Sequence, residues 1–88
     1  MGKIPSLAEQ IREYVSRAFI EPARKSGRTE VEIVAGDVHR DMRLENRMPA
    51  VCGALDARKF QDEYRVVLGR RSGPKFGATS SWRFSIEL

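Results

Sequence analysis

The 88-residue sequence contains only one cysteine, Cys52, and only one histidine, His39. A single cysteine cannot form an internal disulfide bond, and one cysteine with one histidine cannot complete a tetrahedral zinc site. The sequence also lacks an apolar run of membrane-spanning length and an apolar leader at its N-terminus. We therefore expect no disulfide framework, no bound metal and no membrane segment, and the composition predicts a cytoplasmic protein.

Groupings of catalytic residues are lacking as well. Asp62 and Glu63 are adjacent in the sequence, which points their carboxylates apart. A nucleophilic Cys52 would need a base within hydrogen-bonding reach, and His39, expected at the surface, is the only histidine. There is no glycine-rich phosphate loop or nucleophile elbow. The sequence predicts a protein that is not an enzyme and that holds no cofactor, with Cys52 as a small buried residue.

Acidic residues are absent between Tyr64 and Ile86, although this segment carries five cations. These are Arg65, Arg70, Arg71, Lys75 and Arg83. The net charge of the chain is only +4, so the distribution of charge is more informative than its total. A basic segment of this kind favours a polyanionic partner. The same charge could instead keep an exposed strand edge from pairing with another chain, and the composition leaves both interpretations open.

Hydrophobic periodicity predicts a helix followed by a strand in the N-terminal part. Ser6 and Glu9 have the spacing of a capping box at the start of an amphipathic helix. Pro22 removes a helical donor and is expected to end or kink this helix near Glu21, and a further turn through residues 23–25 is left open as an alternative. Residues 29–34 alternate apolar and polar side chains, which predicts a short strand with one buried face.

The central part predicts two helices joined by a short connection. Asp37 is a good N-cap for a helix at residues 38–43. After a connection at residues 45–48, Pro49 suits the first turn of a second helix, at residues 49–59.

Two further strands are predicted near the C-terminus, at residues 65–71 and 81–88. The loop at residues 72–77 contains the glycine and proline typical of turns. Trp82 and Phe84 alternate with polar residues in the second strand, so we expect one face of that strand to be buried in the core.

This order of elements predicts an α+β fold, and the sequence resembles the winged helix-turn-helix superfamily over nearly its whole length. The resemblance implies a single winged-helix domain at residues 1–88. Such a domain has a three-helix core and a small antiparallel β-sheet, in the order α-β-α-α-β-wing-β. The segments AGDVHR (35–40) and NRMPAVCGAL (46–55), with Lys59–Phe60 after them, are also similar to a small prokaryotic, largely archaeal, group of unassigned function.

The resemblance implies double-stranded DNA as the partner. In that superfamily the helix after the turn lies in the major groove, and the wing contacts phosphate or the minor groove. The matching positions at the groove are Asn46, Arg47, Ala50, Gly53 and Ala54, with Arg58 toward the DNA backbone. Those on the wing are Arg70, Arg71 and Lys75. Arg47 is the best candidate for base recognition, because its guanidinium can donate two parallel hydrogen bonds to guanine. The three wing cations flank a Gly-Pro turn and are expected to project into solvent together.

Arg40 and Arg43, beside the turn, are candidates for further contacts to the DNA backbone, although Asp41 and Glu45 lie next to them. Few polar residues follow Arg47 on the outer face of its helix. Phosphate contacts should therefore dominate the affinity and make it steeply salt-dependent. The first hypothesis is a transcription regulator, or the DNA-contacting subunit of a larger assembly.

The small, weakly polar outer face of the second helix also suits docking to a protein. A winged-helix protein–protein interaction module is therefore the alternative hypothesis. A homodimer fits either function, with the first helix and the strand at residues 81–88 as candidate interfaces. The sequence does not separate DNA from double-stranded RNA.

Overall fold

The computed structural model describes residues 4–87 and confirms the α+β class. Helices pack against one face of a three-stranded antiparallel sheet. In chain order the elements are α1 (Leu7–Val15), a π-helical segment (Ser16–Ile20), α2 (Glu21–Lys25), β1 (Glu30–Val34), α3 (Ala35–Asp41), α4 (Met48–Asp56), α5 (Arg58–Tyr64), β2 (Val66–Ser72) and β3 (Ser81–Ile86). Among the described residues, no helix combines the length and the apolar character needed to cross a membrane.

The predicted capping box opens α1. The Ser6 hydroxyl accepts a hydrogen bond from the Glu9 amide at 3.1 Å, and the Glu9 carboxylate accepts one from the Ser6 amide at 3.0 Å. These bonds, the one from the Ser6 backbone first, lower the pKa of Glu9. The prediction is confirmed because a capping box depends only on residues next to one another in the chain.

Pro22 does not end the helical segment, and the further turn through residues 23–25, which was the alternative, is present. The helix continues to Lys25, with the π-helical segment in its middle. The Glu21 amide donates to the Ser16 carbonyl, five residues back. We attribute the continuation to this wider turn, which places Pro22 in the first turn of α2, where its missing N–H is tolerated.

The sheet has the strand order β1-β3-β2, with β3 in the centre. Trp82 and Phe84 face inward from β3 and are fully buried, as predicted. Because β3 is paired along both edges, it cannot extend the sheet onto a second copy of the chain. In a homodimer, β3 could contact the partner only through the outer face of the sheet. The described part of this strand ends at Ile86, and Leu88 lies outside the described residues.

A bulge at Gly69 changes the direction of the side chains along β2. Leu68 lies opposite Phe84 on the inner face, and the register then shifts so that Arg70 lies opposite Arg83 on the outer face. Regular alternation would have turned Arg70 inward with Leu68. The extra residue reverses this pattern, so that Arg70 points outward and Arg71 points inward.

The helix α3 begins at Ala35, three residues before the predicted start, and Asp37 lies in its first turn rather than at the N-cap. The amide of Ala35 donates to the Ser80 carbonyl at 2.8 Å, and the amide of Gly36 donates to the Ala78 carbonyl at 2.9 Å. The β2–β3 loop therefore satisfies the first amides of α3, which a local sequence pattern cannot predict.

The predicted helix at residues 49–59 is divided in two. The helix α4 ends at Asp56, Ala57 is extended with ψ of 132°, and α5 follows as a separate helix. Arg12, whose exposure is only 6%, donates to the Ala54 carbonyl at 3.5 Å. A continuing helix would have bonded this carbonyl to the amide of residue 58. Arg12 thus supplies a donor to the C-terminal end of α4.

Candidate nucleic-acid interface

The connection between α3 and α4 is a tight turn. Arg43 and Asn46 both have left-handed backbone conformations, with φ of 55° and 52°. The amides of Arg43 and Leu44 donate to the carbonyls of Arg40 and His39, both at 3.0 Å, which is the Schellman pattern at a helix end. This turn fixes the direction in which α4 leaves α3.

His39 also takes part in this turn. Its Nε2 accepts a hydrogen bond from the Arg47 amide at 3.3 Å, and the residue is half-buried rather than fully exposed. The imidazole therefore positions the chain where it enters α4, and it must be unprotonated at Nε2 to do so. No sequence pattern predicts this bond beyond the spacing of the two residues.

The N-terminal end of α4 is open. No side chain of residues 4–87 caps it, its first turn contains no acidic residue, and Pro49 lies within that turn. The first bond of this helix runs from the Val51 amide to the Arg47 carbonyl at 3.1 Å, so the helix does not satisfy the amides ahead of Val51. Such an end carries a partial positive charge and is suited to bind an anion.

Two arginines add full charges at this open end. Arg43 and Arg47 are exposed, and within residues 4–87 neither forms an ion pair. Arg40, in contrast, lies 3.4 Å from Asp37 and 3.5 Å from Asp41. Arg43 and Arg47 are therefore the better candidates for phosphate contacts.

The outer face of α4 is smooth. Pro49, Gly53 and Asp56 are exposed there, Ala50 is half-buried, and a Cβ added at Gly53 would meet no atom within 4 Å. Ala54, predicted as a groove residue, does not lie on this face but is buried in the core. Between the N-terminal end of α4 and Asp56, the exposed residues of this face offer no side-chain donor.

Arg58 is not on α4. It opens α5, and its Nε lies 3.6 Å from the carboxylate of Asp62 on the same helix. The prediction that Arg58 lies near the end of the same helix as Arg47 and Ala50 is therefore wrong.

Arg71 does not project into solvent with Arg70 and Lys75, so that prediction is wrong. Its side chain is only 21% exposed and forms a two-pronged ion pair with Asp56, with Nε to Oδ1 at 3.1 Å and Nη2 to Oδ2 at 3.2 Å. Its guanidinium also donates to the carbonyls of Gly73, Pro74 and Lys75, at 3.2, 2.7 and 2.8 Å. Arg71 therefore ties the β2–β3 loop to the end of α4.

Asp56 joins this arrangement to the core. Its Oδ1 accepts a hydrogen bond from the indole N–H of the fully buried Trp82 at 2.7 Å, and the Arg71 guanidinium lies 4.9 Å from the centre of the indole ring. Burial raises the pKa of Asp56, but the bonds from Arg71 and Trp82 outweigh it and lower the pKa overall. We call Asp56, Arg71 and Trp82 the loop anchor.

The loop held by this anchor leaves Lys75 exposed. Its Nζ lies 5.3 Å from the ring centre of Phe76, which is itself 49% exposed. The position of the loop is also fixed by Gly73, whose φ is 87° and whose added Cβ would lie 2.8 Å from the Thr79 carbonyl. Of the three predicted wing cations, Lys75 alone lies both on the loop and in solvent.

Comparison of the chain with known protein families, curated proteins and solved structures gives no match. Among residues 4–87, no three side chains of the metal-binding types are grouped so that they could hold a metal ion. Burial raises the pKa of the Cys52 thiol, which disfavours the reactive thiolate.

We expect Arg43→Gly to raise the free energy of unfolding by about 0.5–1 kcal/mol, because glycine relieves the left-handed strain at a helix end. If Arg43 contacts phosphate, the same change should weaken DNA binding. Arg65→Gly is the matched control, since Arg65 has φ of 57° at the end of α5. Urea denaturation should show both variants to be more stable, and a DNA titration should show weaker binding for the Arg43 variant alone. Equal DNA binding by the two variants would remove Arg43 from the interface.

Proposed function

We propose that the chain is a winged-helix protein that binds double-stranded DNA, as a transcription regulator or as the DNA-contacting part of a larger assembly. The order of α1, β1, α3, α4, β2 and β3 supports the winged-helix assignment. The sheet order β1-β3-β2, with the β2–β3 loop in the position of a wing, supports it further.

The open end of α4 is the observation that carries the proposal. Two exposed arginines without ion pairs in the described chain, Arg43 and Arg47, lie beside a helix terminus that has no side-chain cap and no acidic residue in its first turn. The exposed Glu45 lies between them in the sequence. Backbone amides and guanidinium groups together match the oxygens of a phosphate. Lys75, on the anchored loop, provides a third cation for the DNA backbone.

Base recognition is limited to the start of α4 in this proposal. Asn46 and Arg47 are the exposed residues there that can bond to base edges, and Pro49 and Gly53 after them offer no side-chain donor. Ala50 and Gly53 let the helix approach the groove closely. The protein should therefore hold the DNA backbone more strongly than it discriminates between sequences.

A protein–protein interaction module is the second candidate. It is favoured by the same smooth face of α4, where Pro49 and Gly53 are exposed and Asp56 is already bound to Arg71. Such a face resembles the uncharged centre of a protein interface more than a DNA-contacting helix.

The test is a fluorescence anisotropy titration of a labelled DNA duplex with the full chain at several salt concentrations. With three cations on phosphates, the logarithm of the binding constant should fall with the logarithm of salt concentration with a slope of about −3. Absence of binding at low salt, or binding that salt does not weaken, would contradict the proposal and favour the protein-docking alternative. A duplex RNA of the same sequence, titrated in parallel, separates the two nucleic acids.

A further inference from the structure

The outer face of the sheet carries two facing pairs of polar residues. Arg70 on β2 lies opposite Arg83 on β3, and Ser72 lies opposite Ser81 in the next outward-facing row. Arg70 takes this position because of the bulge at Gly69. We call these four residues the outer-sheet cluster.

The charge of this cluster is only partly compensated. Like charges directly opposite each other on neighbouring strands are unfavourable. Glu32 on β1 is the partner of Arg83 on its other side, but the closest approach of the two charged groups is 4.0 Å. Among the described residues Arg70 forms no ion pair. Among Arg70, Arg83 and Glu32, one positive charge remains uncompensated. Glu30, opposite Ser85, is a second carboxylate on this face, outside the cluster.

The four residues and Glu32 line a shallow depression of about 260 Å³. This volume is several times the roughly 30 Å³ that a water molecule occupies in the liquid, so a tetrahedral oxyanion can enter. The depression offers two guanidinium groups from one side and two hydroxyl groups from the other, and both are donors to anionic oxygen.

We propose that the outer-sheet cluster is a binding site for a phosphate group carrying two negative charges. The planar forks of the two guanidinium groups match the oxygens of such a group, and Glu32 offsets one of their two charges. The site is separate from the open end of α4, because Arg70 points away from the sheet face on which the helices pack. It does not depend on DNA binding by α4. The group could belong to a free phosphate compound or to the 5′ end of a nucleic acid strand.

The test is a titration of the ¹⁵N-labelled full chain with inorganic phosphate, at an ionic strength held constant with sodium chloride. The amides of the cluster should shift and saturate. Arg70→Gln and Arg83→Gln should each weaken binding about tenfold, the effect of losing one charge-assisted hydrogen bond. Glu32→Gln should tighten binding about threefold, because it removes the competing carboxylate. Lys25→Gln is the control for net charge and should change nothing.

Shifts that do not saturate, or the same loss in Lys25→Gln as in Arg70→Gln, would overturn the proposal. A second arm uses a short duplex with and without a 5′-phosphate. If the natural chain binds the phosphorylated duplex more tightly and Arg70→Gln does not, the phosphate group belongs to a strand end. Equal binding of the two duplexes, with saturable binding of inorganic phosphate, identifies a free phosphate compound. If neither inorganic phosphate nor the phosphorylated end is bound, there is no such site, whatever the outcome for α4.

Discussion

Arg71→Ala is expected to lower the free energy of unfolding by about 2–3 kcal/mol, whereas Arg70→Ala should change it by about 0.5 kcal/mol or less. The two residues are neighbours with the same charge, but they point to opposite faces of the sheet. Arg71 is the donor to Asp56 and to three loop carbonyls, while Arg70 is exposed and forms no ion pair in the described chain. Loss of Arg71 removes the charged partner of Asp56 and the donor to the Gly73 and Lys75 carbonyls, and it uncovers one side of Trp82. Asp56 keeps its bond from Trp82, and the Pro74 carbonyl keeps its bond from the Ser80 hydroxyl.

Urea denaturation followed by the fluorescence of the single tryptophan measures both variants directly. Trp82 lies in the loop anchor, so its emission wavelength should also shift in the folded Arg71→Ala variant, before any urea is added. A similar loss of stability in the two variants would contradict the bulge at Gly69 and the inward position of Arg71. Asp56→Asn tests the same anchor from the other side, because it keeps the shape but removes the charge that Arg71 faces.

The second large effect is expected on the affinity for duplex DNA. Reversing both charges at the open end of α4, with Arg43→Glu and Arg47→Glu, should lower the affinity for duplex DNA about 100-fold at about 0.1 M salt. Each phosphate contact contributes roughly a factor of eight under these conditions through counterion release. Two lost contacts account for most of the reduction, and repulsion of phosphate by the new carboxylates supplies the rest.

The matched control is the double change Lys25→Glu and Arg28→Glu. It alters the net charge by the same amount at exposed positions outside the α3–α4 turn. We expect this control to lose much less affinity, and the slope of binding against salt to stay near that of the natural chain. If the two double variants lose the same affinity, net charge alone governs binding and α4 has no special role. Circular dichroism melting curves establish that both variants are folded.

The fold was predictable wherever neighbouring residues decide the structure. The capping box at Ser6 and the inward face of β3 are encoded in patterns a few residues long, and both are confirmed. The start of α3 and the end of α4 were placed wrongly. Each depends on a distant partner, the Ser80 carbonyl in one case and the Arg12 guanidinium in the other. Residues far apart in sequence leave no periodic signal of such contacts.

The candidate site shows the same division. The exposure of Arg47 and the burial of Cys52 follow from helical periodicity. The role of Arg71 does not, because the bulge at Gly69 reverses the pattern that a regular strand would have had. One signal was available: a buried tryptophan requires an acceptor for its indole N–H, and Asp56 is a candidate that chemistry could have suggested. The bond from His39 to the Arg47 amide had no comparable signal.

The most direct test of DNA binding through α4 is a chemical-shift map of the ¹⁵N-labelled chain, titrated with a duplex of random sequence at low salt. The largest shift changes should occur at the amides of residues 43–51, with a second group around Lys75, and raising the salt concentration should reverse them. Changes confined to residues 25–30 or to α5, or no change at any amide, would contradict DNA binding through α4.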